Sequence, residues 1–171
     1  MGERRGVSVL IMPVRLTPKG TRGTGFPKMP PWALPIFHFM SVGMFRLLGR
    51  WMRIQGRPLL LLTTTGAKTG KVRETTLGWF PDEEGASDSR LIVASNAGAA
   101  SHPAWYVNLA RRPDGAAIDV DGRHFAVNAD SLLGPERDRA WKRIVALAPG
   151  YGKYEHDTDR EIPVVRLTPK R

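Results

Sequence analysis

Residues 64–73 bring together the groups that an anion-binding turn requires. The segment has the sequence TTGAKTGKVR, with two glycines, hydroxyl groups and three cations. A glycine-shaped turn exposes backbone N–H groups, and lysine and arginine add charge-assisted hydrogen bonds, so the segment predicts a phosphate site. It is not a P-loop, because Gly66 and Gly70 are one residue too close and Val72 replaces the metal-binding hydroxyl. The alternative is a solvated hairpin tip.

A second segment, residues 94–109, has the sequence ASNAGAASHPAWYVNL. Its small residues let a ligand approach the backbone, and the helix predicted after Pro103 offers an N-terminus that favours negative charge. Trp105 and Asn108 are three residues apart and share one face of that helix. The alternative is that Trp105, Tyr106 and Leu109 only pack and that residues 95–96 only form a turn.

A third segment, residues 149–160, carries two phenols. Tyr151 and Tyr154 follow a predicted helix directly, so we expect both at the rim of the space that the fold encloses. Such phenols can donate a proton or a hydrogen bond to developing negative charge. The alternative is that they seal the core with their hydroxyl groups in water.

Other kinds of site are not expected. The chain has no cysteine, which excludes thiolate metal sites and cysteine nucleophiles. The four histidines are far apart and none has a partner at metal-ligand spacing, so we predict no metal site. The absence of a GxSxG motif argues against a serine hydrolase.

The charge of the chain is concentrated near its beginning. The 171 residues carry a formal charge of +10, but residues 1–58 contain ten basic residues and one acid, a net charge of +9. The remainder is nearly neutral, with a net charge of +1. We therefore do not expect nucleic acid as a partner.

The charged part of the chain contains two predicted elements. Residues 1–35 hold six prolines and predict a flexible basic arm. Residues 36–57 predict an amphipathic helix whose arginines face away from an apolar stripe; the stripe comprises Ile36, Met40, Met44, Leu47, Trp51 and Ile54. This stripe either covers the folded domain or lies on an anionic membrane surface.

Residues 58–171 predict one β-rich domain. Six strands are expected at residues 59–64, 75–80, 91–95, 116–120, 123–129 and 162–167, with short helices after residue 102 and over 135–148. The Asp121–Gly122 pair predicts a tight hairpin. Closing hairpin-linked strands removes exposed sheet edges, so we expect an α+β fold, mostly β, built on a six-stranded antiparallel split β-barrel.

The three segments resemble those of the deazaflavin (F420)-dependent nitroreductase family in the split β-barrel flavin-binding superfamily. The resemblance runs from Pro58 to Pro169 and has three motifs in the right order, at residues 64–73, 94–109 and 149–163. It implies coenzyme F420, a deazaflavin with a phosphate and an oligoglutamate tail. It also implies hydride transfer from the reduced coenzyme to quinones, nitroaromatics or activated double bonds.

The resemblance also implies roles for individual residues. The phosphate would contact Lys68, Thr69, Gly70 and Arg73, with Lys71 in the same turn; the ring and ribityl chain would contact Thr76, Leu77, Gly78, Ala94, Ser95 and Asn96; Trp105 and Asn108 would close the pocket. Tyr151, Tyr154 and a water held by Ser95 are the catalytic candidates for proton donation.

We expect hydride transfer to a quinone or enone rather than to a nitro compound, because Ala148 stands where nitro-active relatives carry a tyrosine. The alternatives are an FMN-binding oxidoreductase on the same barrel, or a basic module with a vestigial pocket that binds a membrane or nucleic acid. We expect a monomer or homodimer in the cytoplasm, attached peripherally to the inner face of the membrane through residues 36–57.

Overall fold

The computed structural model describes residues 13–25, 30, 32–49, 51–54 and 56–170. Within these residues the helices are α1 Ala33–Leu48, α2 Ala104–Arg111, α3 Gly134–Leu147 and α4 Gly150–Asp157, and a 3₁₀ turn covers Asn96–Gly98. The strands are β1 Arg53–Ile54, β2 Arg57–Thr65, β3 Val72–Gly78, β4 Phe80–Pro81, β5 Arg90–Val93, β6 Ala117–Val120, β7 Arg123–Ser131 and β8 Val164–Pro169.

The strands form one antiparallel sheet that curls into a half-barrel. Its order is β1-β2-β6-β7-β8-β5-β4. Strand β3 pairs with residues 59–65 of β2, on the edge opposite β6. The predicted hairpin joins β6 to β7, and both of its turn residues have positive φ, 52° at Asp121 and 75° at Gly122. The predicted α+β fold is confirmed. It has eight described strands rather than six, because the two-residue strands β1 and β4 are too short to leave a periodic pattern.

Strand β2 is buried on both faces, which explains its unbroken apolar run. Leu60 and Leu62 join the main core inside the barrel, whereas Leu59 and Leu61 form a separate cluster with Val42 of α1. Successive side chains of a strand point to opposite faces, so a run of leucines suits a strand that is covered twice.

A further cluster lies under α3 and α4. Trp141 and Ile144 of α3 and Tyr151 of α4 pack against Phe80 and Leu91 of the sheet. A helix was predicted over residues 135–148, and the Pro149–Gly150 pair that follows is typical of a helix end. It does separate α3 from the next element, but Pro149 then forms the N-cap of α4, since proline is tolerated where the N–H groups have no helical partner.

Helix α1 differs from the prediction for residues 36–57. It begins at Ala33 and ends at Leu48, and residues 53–54 and 57 belong to strands instead. Among its described side chains Val42 and Phe45 are buried, each 7% exposed, whereas the apolar stripe is exposed, as at Leu47 (83%) and Trp51 (75%), so it does not cover the folded domain. Val42 and Phe45 pack against Leu59 and Leu61 of β2, and Arg46 pairs with Glu74 of β3.

Residues 13–25, expected to belong to a flexible arm, pack along the barrel; we call them the strap. Val14 is 5% exposed within the main core, and Pro13 forms an isolated bridge with Asp130. The backbone N–H of Arg15 donates to Ser131 Oγ at 3.1 Å. Residues 1–12 and 26–29 of the expected arm lie outside the described residues.

Candidate functional site

A cavity of about 1240 Å³ lies between α1, α2, the β2–β3 turn and the strap. Apolar side chains line it, including Phe39, Val42 and Trp105. Five basic side chains and one acid, Glu74, line it as well; the bases are Lys19, Arg46, Lys68, Arg73 and Arg111. The cavity therefore suits a ligand with an aromatic portion and an anionic portion.

The β2–β3 turn forms one end of the cavity. Its backbone is closed on itself, since Gly66 N–H donates to Lys71 O and Gly70 N–H donates to Gly66 O, both at 2.8 Å. Gly70 has a φ of +68°, which a side chain would strain. The sequence predicted a turn with exposed backbone N–H groups, but these two donors are occupied. An anion bound here would be held mainly by the exposed side chains of Lys68, Thr69 and Arg73, which line the cavity, whereas Lys71 is exposed but lies outside the lining.

Asn108 fastens this turn to α2. Its Oδ1 accepts from Ala67 N–H at 2.9 Å, and its Nδ2 donates to Thr64 Oγ1 at 3.1 Å. Trp105, on the same face of α2, lines the cavity as well. Both residues therefore lie where the sequence placed them, and Asn108 positions the turn from a buried site.

The β3 residues predicted to contact the ring, Thr76, Leu77 and Gly78, do not line the cavity. Leu77 packs on the main core, and Gly78 faces Arg57, whose Nη1 would be 3.4 Å from a Cβ at that glycine. The hydroxyl of Thr76 is buried and has no hydrogen-bond partner among the described residues. Thr75, one residue earlier, is the neighbour that does line the cavity.

The strand end predicted to contact the ring, at Ala94, Ser95 and Asn96, is held in an unusual conformation. Asn96 and Ala97 have φ values of 48° and 51°, in the left-handed region that costs non-glycine residues free energy. The buried guanidinium of Arg160 donates to the carbonyls of Ala94 and Ser95 at 3.0 and 2.8 Å. These three predicted residues also lie outside the cavity lining.

The two tyrosines lie on α4, behind that strand end. Tyr151 is buried, its phenol oxygen accepts from Arg57 Nη1, and its ring packs edge-on against Phe80. Tyr154 is half-buried and packs against Tyr151, with ring centroids 5.6 Å apart. Neither residue belongs to the lining of the cavity.

The family model described as F420H(2)-dependent quinone reductase matches residues 46–169. The chain belongs to this family. An F420H(2)-dependent quinone reductase of Mycobacterium tuberculosis (strain H37Rv) is 42% identical over 120 residues, which cover 68% of this chain and 77% of the relative. A solved structure of an F420-H2 dependent reductase (FDR-A) is 37% identical, with a TM-score of 0.56, and the match covers 66% of this chain and 95% of that one. Another structure, described as a domain-swapped dimer, is 32% identical, with a TM-score of 0.57 and coverage of 78% and 99%.

Membership of this F420H(2)-dependent quinone reductase family confirms three expectations: the chain is an oxidoreductase, its cofactor is coenzyme F420, and its fold is the split barrel. The three sequence motifs predicted the same superfamily through their resemblance to its F420-dependent nitroreductases. The family match includes both the β2–β3 turn and α2, and it excludes the strap.

The donors of the cavity fit the coenzyme of an F420H(2)-dependent reductase. Lys68, Arg73 and Arg111 can pair with anionic groups, and Trp105 and Val42 offer apolar surface to a ring. Arg46 pairs with Glu74 at 2.7 Å, whereas the other four bases of the cavity, on the turn, α2 and the strap, form no ion pair among the described residues.

Several residues that line the cavity of this reductase were not among the predicted site residues. Leu16, Thr17 and Lys19 come from the strap, and His102 lies beside them. Burial lowers the pKa of His102, and the neighbouring Arg160 charge lowers it further. No sequence pattern marks the strap residues, because contacts distant along the chain fix their position.

Proposed function

We propose that this reductase transfers hydride from reduced F420 to a quinone, and that F420 binds in the cavity between α1, α2, the β2–β3 turn and the strap. An enone or a nitroaromatic is the alternative acceptor. The observation that supports this proposal most is that one cavity is lined both by apolar side chains and by five bases with a single acid.

The basic and the apolar side chains of the cavity have different roles in binding. Lys68 and Arg73 attract the phosphate and acidic tail, and the Thr69 hydroxyl adds a neutral donor. Trp105 and Val42 contact the ring and exclude water from it. When bound, F420 supplies the two-electron hydride chemistry itself, so the protein contributes binding, orientation and a dry site.

Reduction of the acceptor also needs a proton. We infer that Ser95, Tyr151 or Tyr154, the predicted donors, would deliver it only through intervening water, because all three lie outside the lining of the cavity in which we place F420.

A coenzyme titration tests the location of the site. Lys68→Ala combined with Arg73→Ala removes two exposed cations, each worth about 1.4 kcal/mol to an anionic ligand, so we expect the Kd for F420 to rise about 100-fold. The matched control, Arg123→Ala with Lys142→Ala, removes two exposed cations outside the cavity and leaves the Kd unchanged.

Equal affinity of the Lys68/Arg73 double variant and the wild type would place the coenzyme elsewhere. The same titration with FMN tests the flavin alternative. We expect FMN to bind more weakly than F420, and tighter FMN binding would replace the F420 proposal.

Acceptor choice is tested separately, by following oxidation of the reduced coenzyme. A soluble quinone, an enone and a nitroaromatic are compared at equal concentration, and we expect the quinone to react fastest. A faster reaction with either of the other compounds would assign the acceptor to that class.

We also propose that α1 attaches the protein to an anionic membrane surface. Its exposed apolar face includes Ile36 (53%) and Leu47 (83%), and the helix also carries the exposed cation Arg46. An apolar face beside cations favours the boundary of anionic lipid headgroups. Among the described helices, none has the length and hydrophobicity needed to cross a bilayer.

Sedimentation with vesicles of phosphatidylglycerol and phosphatidylcholine tests this attachment. Ile36→Ser with Leu47→Ser removes two side chains each worth about 1.5 kcal/mol or more on burial, so we expect vesicle binding to weaken at least 100-fold. Val72→Ser with Leu147→Ser changes two exposed side chains on other elements and serves as the control.

The domain-swapped relative supports a homodimer as well. Size-exclusion chromatography with light scattering measures the state of the wild type, for which we propose a dimer. If the Ile36/Leu47 variant becomes monomeric while vesicle binding of the wild type is absent, the α1 face binds a second copy of this chain rather than lipid.

A further inference from the structure

The strap lies outside the family match and contacts two parts of the molecule that the match includes. At one end, Leu16, Thr17 and Lys19 line the cavity. At the other, residues 20–25 run along the loop that holds the left-handed residues. Thr24 N–H donates to Gly98 O and Gly25 N–H donates to Ala97 O, both at 3.0 Å. The strap therefore supports a strained loop and walls a cavity at once.

Asp159 anchors the middle of the strap. Its Oδ1 accepts from the backbone N–H groups of Thr21 and Arg22 at 2.9 and 3.0 Å, and its Oδ2 accepts from the Thr21 hydroxyl at 2.6 Å. The Thr158 hydroxyl donates to Arg22 O at 3.0 Å. These bonds hold the pKa of Asp159 at about 2, so the anchor is charged at neutral pH.

Gly23 allows the strap to lie directly on the loop. A Cβ at this position would be 2.3 Å from Ala100 N and 2.4 Å from Gly98 O. Both are backbone atoms, so the loop cannot give way as a flexible side chain would. The contact therefore requires glycine, and a larger residue would lift the strap.

The cavity end of the strap is fixed as well. His102 Nδ1 faces Arg160 Nη1 at 3.4 Å, and because guanidinium only donates, this nitrogen is the acceptor. Its Nε2–H then donates to Thr17 O at 2.8 Å. The Tyr106 hydroxyl donates to Arg15 O. Lys19 thus extends from a segment anchored on both sides of it.

We propose that the strap is a permanent wall of the coenzyme cavity and that Lys19 is a coenzyme-binding residue that pairs with an anionic group of F420. The inference rests on the proposed location of F420 in this cavity. Lys19 is exposed and lines the cavity together with Lys68 and Arg73, so the strap adds to the charge that the β2–β3 turn supplies.

A matched pair of variants on the strap tests the role of Lys19. Lys19→Ala should raise the Kd for F420 about 10-fold, the effect of one exposed charge-assisted contact. Arg22→Ala removes an equal charge from the same segment, but its side chain lies outside the cavity lining, so the Kd should stay within about 2-fold of the wild type. If the two variants raise the Kd equally, Lys19 acts only through the overall charge of the strap, and its assignment as a coenzyme-binding residue is wrong.

Two other variants test the strap as a wall. Asp159→Asn weakens the anchor and Gly23→Ala lifts the strap, and neither changes a residue that lines the cavity. We expect each to speed trypsin cleavage after Arg15, Lys19 and Arg22, located by mass spectrometry, and to raise the Kd for F420. Asp88→Asn, an exposed acid in the β4–β5 loop, is the control.

The results separate this inference from the proposed function. If Lys68→Ala with Arg73→Ala weakens F420 binding but the strap variants bind normally despite faster cleavage, the cavity is right and the strap is not its wall. If the Lys68/Arg73 variant binds normally, the location of the coenzyme is wrong. Slower cleavage of the wild type when F420 is added would support the strap directly.

Discussion

Arg160 is the residue whose replacement should disturb the candidate site most without touching the cavity. It is 5% exposed, and in the part of the chain that the structure describes its acceptors are four backbone carbonyls and His102 Nδ1. Burial lowers the pKa of the Arg160 guanidinium, and a guanidinium stays protonated in proteins. One buried cation thus organises the loop that carries Ser95 and Asn96.

The cost of replacing it follows from its three shorter bonds, to Ala99 O at 2.8 Å, Ala94 O at 3.0 Å and Ser95 O at 2.8 Å. A hydrogen bond from a charged group contributes about 1.5 kcal/mol or more. Arg160→Lys keeps the charge but reaches one of these carbonyls, so the free energy of unfolding should fall by about 3 kcal/mol. For a chain of this size that lowers Tm by about 6–12 °C.

Urea unfolding followed by tryptophan fluorescence measures this loss. Arg143→Lys, on the exposed face of α3, is the control, and its ion pairs with Glu83 and Glu84 should contribute less than about 1 kcal/mol. If Arg160→Lys costs less than about 1 kcal/mol, the carbonyl cage does not hold the loop and the reasoning fails.

Three further predictions concern other contacts. Asn108→Asp keeps an acceptor for Ala67 N–H but removes the donor to Thr64 Oγ1 and buries a negative charge under the turn, so Tm should fall and the Kd for F420 should rise about 10-fold; an unchanged Kd would contradict this prediction. Asp82→Asn breaks a buried pair with Arg166, whose side chain is 7% exposed, and should cost about 3 kcal/mol in urea unfolding, whereas a loss below about 1 kcal/mol would mean that other contacts replace the pair. Because burial and Arg160 keep the pKa of His102 below 6.5, the unfolded state binds its proton first, so the free energy of unfolding should fall as pH drops below 6.5. His102→Gln should flatten that slope, and an identical pH profile for variant and wild type would assign the slope to other groups.

Local patterns predicted much of the fold. The Asp121–Gly122 hairpin and the leucine run of β2 are confirmed because turn chemistry and burial act over a few residues. Asn108 and Trp105 were placed correctly for the same reason, since helical spacing puts them on one face. Helix α4 was missed because a proline and a glycine next to each other usually end a helix, whereas here they begin one.

The remaining differences come from contacts between distant parts of the chain. The apolar stripe of α1 could not show which of its faces meets the sheet, because Leu59 and Leu61 select Val42 and Phe45 through packing. The strap carries no periodic signal. Its position depends on hydrogen bonds to Asp159, more than a hundred residues later in the chain.

Hydrogen exchange with and without F420 tests the central claim, that the coenzyme occupies the cavity formed by α1, α2, the β2–β3 turn and the strap. The backbone amides of residues 16–19, 66–73 and 104–111 should exchange more slowly when F420 is bound. The hairpin between β6 and β7 should be unaffected. Slower exchange confined to residues outside the cavity, with residues 66–73 unchanged, would contradict the account.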